Sequence, residues 1–144
     1  MDIETLRAMA NADIKIDETD LHSESLKTPQ LHNKYLIMHE NSKLEMEKLV
    51  FTEKIMKRDK WLYYSGKMGE DDLKRHNWDP FPYTILKTDI PMFIDADIDI
   101  QKLRAKVALQ TSVASYLEQV IKIIIGRQWN IKSAIEWIKF TQGV

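Results

Sequence analysis

Basic and aromatic side chains alternate along residues 54–67 of the sequence. Five cations in this stretch face a single acid, Asp59. Cations that follow phosphates and rings that stack on bases are the combination used by proteins that bind single-stranded nucleic acid. A solvated basic helix end with aromatic residues in the core gives the same pattern, and composition alone favours that simpler interpretation. The candidate nucleic-acid-binding residues are Lys54, Lys57, Arg58, Lys60, Tyr63, Tyr64 and Lys67.

The sequence shows no residue pattern that is typical of a catalytic, metal or cofactor site. The 4 glycines match neither a phosphate-binding loop nor a dinucleotide fingerprint. His32 and His39 lie seven residues apart on one side of a predicted helix, but no HExxH pattern or ligand triad accompanies them. We therefore expect a protein that is not an enzyme and that holds no metal or cofactor. A metal-dependent enzyme built on these two histidines and nearby acids is the weakest hypothesis.

Composition predicts one intracellular domain. A chain of 144 residues can bury a single core of ordinary size, and the absence of Cys fits a reducing cytoplasm. The acidic N-terminus lacks the features of a secretory signal, and the longest apolar run, residues 120–126, is far shorter than the roughly 20 residues that span a bilayer. The net charge of −1 hides an acidic arm at residues 1–27 and basic regions around residue 60 and beyond residue 100.

Two long helices dominate the predicted fold. Thr28 and Pro29 form a capping pair, an apolar stripe follows at helical spacing, and Ser65-Gly66 supplies a left-handed stop. A helix of roughly 35 residues within residues 28–66 would be about 50 Å long at about 1.5 Å per residue, too long to bury itself in a small monomer. A second long helix is predicted from about residue 97 to Gly126, with a short helix from Asn130 to Phe140.

Residues 67–96 read as an extended connector with aromatic anchors. Its prolines interrupt any continuing helix. Residues 84–86 and 92–94 are short β-capable runs that either pair as a hairpin or pack as extended chain. The predicted class is therefore mainly α, either all-α or α with a small β element, in a single domain whose C-terminal helical part is residues 97–141.

The C-terminal part has more apolar surface than the chain can cover. Its final helix is apolar on most sides, and the Ile-rich turn before it has the same character. Self-association is the natural way to bury such a surface. The candidate oligomerisation residues are Ile124, Ile125, Ile131, Ile135, Trp137 and Ile138.

Several segments of the first predicted helix together form a recognisable pattern. They are residues 31–36, Leu-His-Asn-Lys-Tyr-Leu, then Lys43, Glu45 and Met46, and the Tyr-Tyr-Ser-Gly ending at residues 63–66. In these segments the chain resembles the UvsY-like recombination mediators of T-even-type phages. The register holds without gaps from about Pro29 to Gly66. Beyond Lys67 the likeness is one of architecture only.

This resemblance implies a non-catalytic protein of DNA recombination, repair and replication in the infected bacterial cytoplasm. Such mediators form a ring-like homo-oligomer through the C-terminal part, bind single-stranded DNA, weaken the hold of the phage single-strand-binding protein and help to load a RecA-like phage recombinase. The basic residues ahead of the Tyr-Tyr-Ser-Gly ending, which matter for DNA binding in the family, correspond to Arg58 and Lys60. The Pro-rich connector and the acidic arm depart from the family pattern.

The alternative hypothesis is a helical structural or adaptor oligomer that does not bind DNA. In that case the basic segment is a solvated face and the first long helix is a coiled-coil-like seam. Binding of single-stranded DNA by the purified protein separates the two hypotheses.

Overall fold

The structure, a computed structural model, describes residues 1–143. The mainly α prediction is confirmed, and no strand occurs in this range. None of the described helices combines the length and apolar character needed to cross a membrane. In chain order the elements are α1 Ile3–Asp13, α2 Leu21–Tyr64, α3 Glu70–His76, a 3-10 turn Lys87–Asp89, α4 Ile90–Ala96 and α5 Ile98–Gln142.

Helix α2 ends where the sequence predicts but begins earlier. It has 44 residues, which corresponds to about 66 Å. At its end Gly66 adopts φ +74°, its N–H donates to the Tyr63 carbonyl, and the Lys67 N–H donates to the Leu62 carbonyl. These two bonds form a Schellman motif, which explains the stop. The start at Thr28-Pro29 was wrong, because the helix already begins at Leu21.

Pro29 is tolerated inside α2 because side chains of α5 satisfy nearby carbonyl groups. A proline in a helix removes the hydrogen bond to the carbonyl four residues earlier, here that of Ser25. Gln128 Nε2 donates to the Ser25 oxygen at 3.4 Å, and the buried Arg127 guanidinium donates to the carbonyl of Glu24. Arg127 also pairs with the Glu24 carboxylate. This long-range bonding has no local sequence signature, so the capping pattern was misleading.

Most of the acidic arm is helical, in α1 and the first turns of α2. Asp2 caps α1 by accepting from the Thr5 N–H at 2.7 Å, and Leu6 and Ala10 are buried. At the other end of the helix, the Asp13 carboxylate accepts from Tyr35 Oη at 2.6 Å. The arm therefore belongs to the folded part of the chain.

The connector contains helices instead of a hairpin. Residues 92–94 lie in α4, whose first turn holds Pro91, and Ile90 and Ile94 are buried one helical turn apart. Buried residues four positions apart share one face of a helix. Both the hairpin and the extended alternative were therefore wrong for residues 92–94. Residues 70–76 form α3, and Asn77 ends it with φ +59°.

Helix α5 runs without interruption through Gly126 and Asn130. Its buried positions follow one another at spacings of three and four: Leu117, Val120, Ile124, Arg127 and Ile131. Glycine in a helix costs roughly 1 kcal/mol, and this continuous buried stripe outweighs that cost. The predicted break at Gly126 and the separate final helix were wrong.

Contacts divide the chain into two compact units, to each of which α2 and α5 contribute. Unit 1 comprises residues 1–43 and those from 111 onward, and unit 2 comprises residues 44–110. The core of unit 1 is formed by α1, α2 and α5, with Tyr35 fully buried among Leu6, Leu117, Val120 and Ile124. The core of unit 2 consists of Ile90, Ile94 and Ile100, against which residues Met56, Trp61, Tyr64 and Ile85 pack.

Candidate nucleic-acid interface

The predicted basic segment occupies the last turns of α2, in unit 2. Met56, Lys60 and Tyr64 follow one another at spacings of four and form its inner side. Met56 and Tyr64 pack against the core, and Lys60 is buried. The helical repeat therefore places Lys54, Lys57 and Arg58 on the outer side, and the structure exposes all three.

The outer side is basic because neighbouring acids are already paired. Arg104 of α5 donates to Glu53 at 2.9 Å and to Asp95 at 3.0 Å. Arg58 donates to Asp59 Oδ1 at 3.0 Å, yet 67% of its side chain is exposed. Lys54 and Lys57 are also exposed.

Lys60 does not lie on the surface, as its place in the basic segment had indicated. The residue is only 4% exposed, and its Nζ lies 3.0 Å from Asp97 and 2.8 Å from Asp99. The ring centroid of Trp78 is 3.9 Å from the same nitrogen. A buried ammonium needs such partners, so the placement follows from the acids at the start of α5. Direct contact of Lys60 with DNA remains an untested prediction, and its burial does not favour it.

Asp97 is the acceptor that joins α2 to α5. Its Oδ1 accepts from the backbone N–H groups of Asp99 and Ile100 and thereby caps α5, and its Oδ2 accepts from Tyr64 Oη at 2.6 Å. Burial by itself raises the pKa of Asp97, but hydrogen bonds from Tyr64, Lys60 and the Ile100 backbone outweigh it. The pKa of Asp97 therefore lies below its ordinary value of 3.8.

Low pH should lower the stability of the folded protein through protonation of Asp97. A carboxyl group whose pKa is lower in the folded state stabilises the fold fully above its unfolded pKa, near 3.8, and loses that contribution as pH falls through the lower folded pKa. We expect Asp97→Asn to be less stable than the parent at pH 7, with a difference that shrinks below pH 4. Urea unfolding at several pH values and one protein concentration measures it. A difference that is independent of pH would contradict this assignment.

Tyr63 and Tyr64 belong to an aromatic cluster that fixes the connector. Tyr63 has Trp78 and Phe81 at centroid distances of 5.4 and 5.6 Å, and its hydroxyl donates to the Asp79 carbonyl. Tyr64 has Phe81 at 5.0 Å and a hydroxyl bonded to Asp97. The aromatic anchors predicted for the connector are thus confirmed. Base stacking on these two tyrosines stays a prediction, and their rings already have aromatic neighbours.

Trp61 is the ring that sequence reasoning left out. It is partly exposed beside Lys57 and Arg58, and Lys67 Nζ lies 5.2 Å from its ring centroid. A spacing of four from Lys57 was the available signal, because residues four apart share one helix face.

The oligomerisation candidates divide into buried and exposed residues. Ile124 and Ile131 are 1% and 2% exposed, so the protomer itself covers them. Their part in oligomerisation stays a prediction, and their burial does not favour it. Ile125, Ile135 and Trp137 are exposed, and Ile138 is half-buried. Further exposed aromatic side chains on the same helix are Trp129 and Phe140.

His32 and His39 are both half-buried on α2. Within residues 1–143 no three His, Asp or Glu side chains converge in the manner of metal ligands.

These features define an all-α protein with a basic outer side on one helix and uncovered aromatic residues on another. The profile of the UvsY family, described as "Recombination, repair and ssDNA binding protein UvsY", matches residues 9–144. The recombination protein uvsY of Enterobacteria phage T4 is 23% identical over 143 residues, which cover 99% of each chain. The protein belongs to the UvsY family of recombination mediators.

Crystal structures of the bacteriophage T4 recombination mediator protein UvsY share its fold. One crystal form superimposes with a TM-score of 0.83 at 23% identity and covers 99% of this chain and 98% of the other. A second form gives 0.84 at 22% identity, with 97% and 99% covered.

Proposed function

We propose that the protein binds single-stranded DNA as a homo-oligomer and mediates loading of a RecA-like phage recombinase onto DNA covered by the phage single-strand-binding protein. In this role it has no catalytic activity of its own. The setting is the cytoplasm of an infected bacterium. Membership of the UvsY family supports the role, and the surface of α2 supplies a physical basis for it.

The observation that carries the proposal is the exposed, basic outer side of α2. Lys54, Lys57 and Arg58 present cations there, while Arg104 neutralises Glu53 and Asp95. Contacts between cations and phosphates carry no sequence information. They therefore suit a mediator that must act on any sequence.

A monomer would offer only a few such contacts, so oligomerisation is part of the proposed mechanism. Linked sites gain from effective concentration, and overall avidity can exceed the affinity of one site by roughly 10²- to 10⁴-fold. The exposed Ile125, Ile135 and Trp137 of α5 are the residues we assign to contacts between subunits.

Replacing Lys57 and Arg58 together with alanine should weaken binding of single-stranded DNA without unfolding the protein. Both side chains are exposed, and such changes usually alter stability by about 0.5 kcal/mol or less. Each neutralised phosphate contributes roughly 0.7 to the slope of log affinity against log salt, so the slope should become shallower. Titration of a fluorescent oligonucleotide at several salt concentrations measures both effects, and circular dichroism reports the fold.

The matched control replaces Lys102 and Lys106, two exposed cations of α5 in the same unit. This control removes the same charge from another surface, so it should retain the parent's salt slope. Equal losses in both variants would mean that binding follows net charge and not the α2 surface. A parent protein that does not bind single-stranded DNA even at low salt would favour the adaptor hypothesis.

A further inference from the structure

A groove of about 470 Å³ lies beside the basic side of α2, within unit 2. Its volume falls in the range of roughly 300–1,000 Å³ that is usual for small-molecule and cofactor sites. The Lys60–Asp97 cluster is not part of this groove, although Ile94 belongs to the core of unit 2 and Trp61 packs against that core. Its lining residues are Lys57, Arg58, Trp61, Pro91, Ile94 and Asp95.

The chemistry of the lining fits a flat apolar group joined to an anion. Trp61, Pro91 and Ile94 supply apolar surface, whereas Lys57 and Arg58 supply cations. The one acid of the lining is Asp95, which is paired with Arg104 at 3.0 Å. Arg58 is exposed but paired with Asp59, which does not line the groove, so the remaining unpaired charge is that of Lys57 and is positive.

A base of single-stranded DNA with its phosphates has this combination of properties. Aromatic side chains stack on bases of any sequence, and cations follow the backbone. Lys67 adds a third cation, 5.2 Å from the Trp61 ring centroid. Tyr63 and Tyr64, by contrast, are engaged with Phe81 and with each other.

We propose that the groove beside Trp61 receives one base of the bound strand and that Lys57 and Arg58 hold the adjoining phosphates. Trp61 is then a base-contacting residue, and the α2 surface recognises the unpaired base as well as the charge of the strand. This inference rests on the proposed function, because it presupposes that single-stranded DNA binds here.

The test compares Trp61→Leu with Trp61→Phe on two ligands, an oligo(dT) strand and an abasic oligonucleotide of equal length. Loss of a stacking ring weakens binding by about 5- to 150-fold, the equivalent of 1–3 kcal/mol per base. We expect Trp61→Leu to show such a loss on oligo(dT) but to match the parent on the abasic strand. Trp61→Phe keeps a ring and should recover most of the affinity for oligo(dT).

Phe51→Leu is the matched control, because Phe51 is an exposed ring of the same helix outside the groove. Its affinity for oligo(dT) should equal that of the parent. An equal loss in this control, or a Trp61→Leu variant that binds oligo(dT) as the parent does, overturns the assignment of the groove. If the parent does not bind oligo(dT), the proposed function itself fails.

A spectroscopic measurement keeps the inference falsifiable even if Trp61→Leu folds poorly. Replacing Trp78, Trp129 and Trp137 with phenylalanine leaves Trp61 as the only tryptophan of the 4 in the chain. Oligo(dT) should quench its fluorescence at saturation, and the abasic strand should not. Equal quenching by both strands, or none by either despite binding, would contradict base stacking at this ring.

Discussion

Lys60→Ala is expected to destabilise the protein by about 3 kcal/mol. Removing one partner of a buried ion pair typically costs about 3–5 kcal/mol, because the remaining charge stays buried. The lower end applies here, since Asp97 would keep the hydrogen bonds from Tyr64 and from the backbone of α5. Urea unfolding at pH 7 and a fixed protein concentration is the measurement. A change below about 0.5 kcal/mol, as for an exposed lysine, would show that the pair does not exist in solution.

A double-mutant cycle assigns the loss to the contact between Lys60 and Asp97. Lys60→Met keeps most of the buried stem and removes the charge, and Asp97→Asn keeps a group that can cap α5. If the two side chains interact, the cost of the double variant is smaller than the sum of the two single costs, with a coupling of roughly 0.5–3 kcal/mol. Additive costs would place the effect elsewhere in unit 2.

Measurements of DNA binding distinguish the effect of losing Lys60 from that of losing Arg58, two positions earlier. Arg58 is exposed, so its loss should lower affinity and salt slope with little effect on stability. Lys60 is enclosed by acids, so its loss should lower stability, while the folded fraction keeps the parent's salt slope. Two basic residues that are two positions apart in the family pattern thus have different expected roles, one at the surface and one inside.

The sequence could not show that Lys60 is buried whereas Arg58 is exposed. Helical spacing shows which residues share a face, but Asp97 and Asp99 lie nearly 40 positions after Lys60, and nothing local signals the pairing. The same limit explains why Pro29 was wrongly taken as the start of α2. Its position reads as a helix start until Gln128 and Arg127, a hundred residues later, are seen to satisfy the carbonyl groups around it.

Features with a local cause were predicted well. The end of α2 depends on Gly66 and the bonds that its left-handed conformation allows, all within six residues. The mainly α class followed from periodicity in the two long helices. Gly126 shows where local propensity fails, because the buried stripe on both sides of it keeps α5 continuous.

Burial also separates the C-terminal residues that can contact another subunit from those that cannot. Ile131 is enclosed within the protomer, so a truncation at Asn130 would remove part of the protomer's own core as well as any interface. Trp137 and Phe140 are 65% and 78% exposed, with ring centroids 6.0 Å apart. Exposed aromatic side chains grouped in this way are typical of interaction sites. A single substitution in this pair therefore tests self-association without opening the core.

Trp137→Glu is expected to dissociate the oligomer and to weaken binding of single-stranded DNA by about 10²-fold or more. The glutamate would place a charge where two subunits exclude water, and loss of the assembly removes the gain from linked sites. Ser115→Glu, at an exposed position of the same helix 22 residues before Trp137, adds the same charge outside the C-terminal aromatic pair and serves as the control. Sedimentation velocity gives the mass, and oligonucleotide titration gives the affinity. The Trp137→Glu variant should sediment as a smaller, folded species, whereas the control should resemble the parent. A Trp137→Glu protein of unchanged mass would place the subunit contact on another surface.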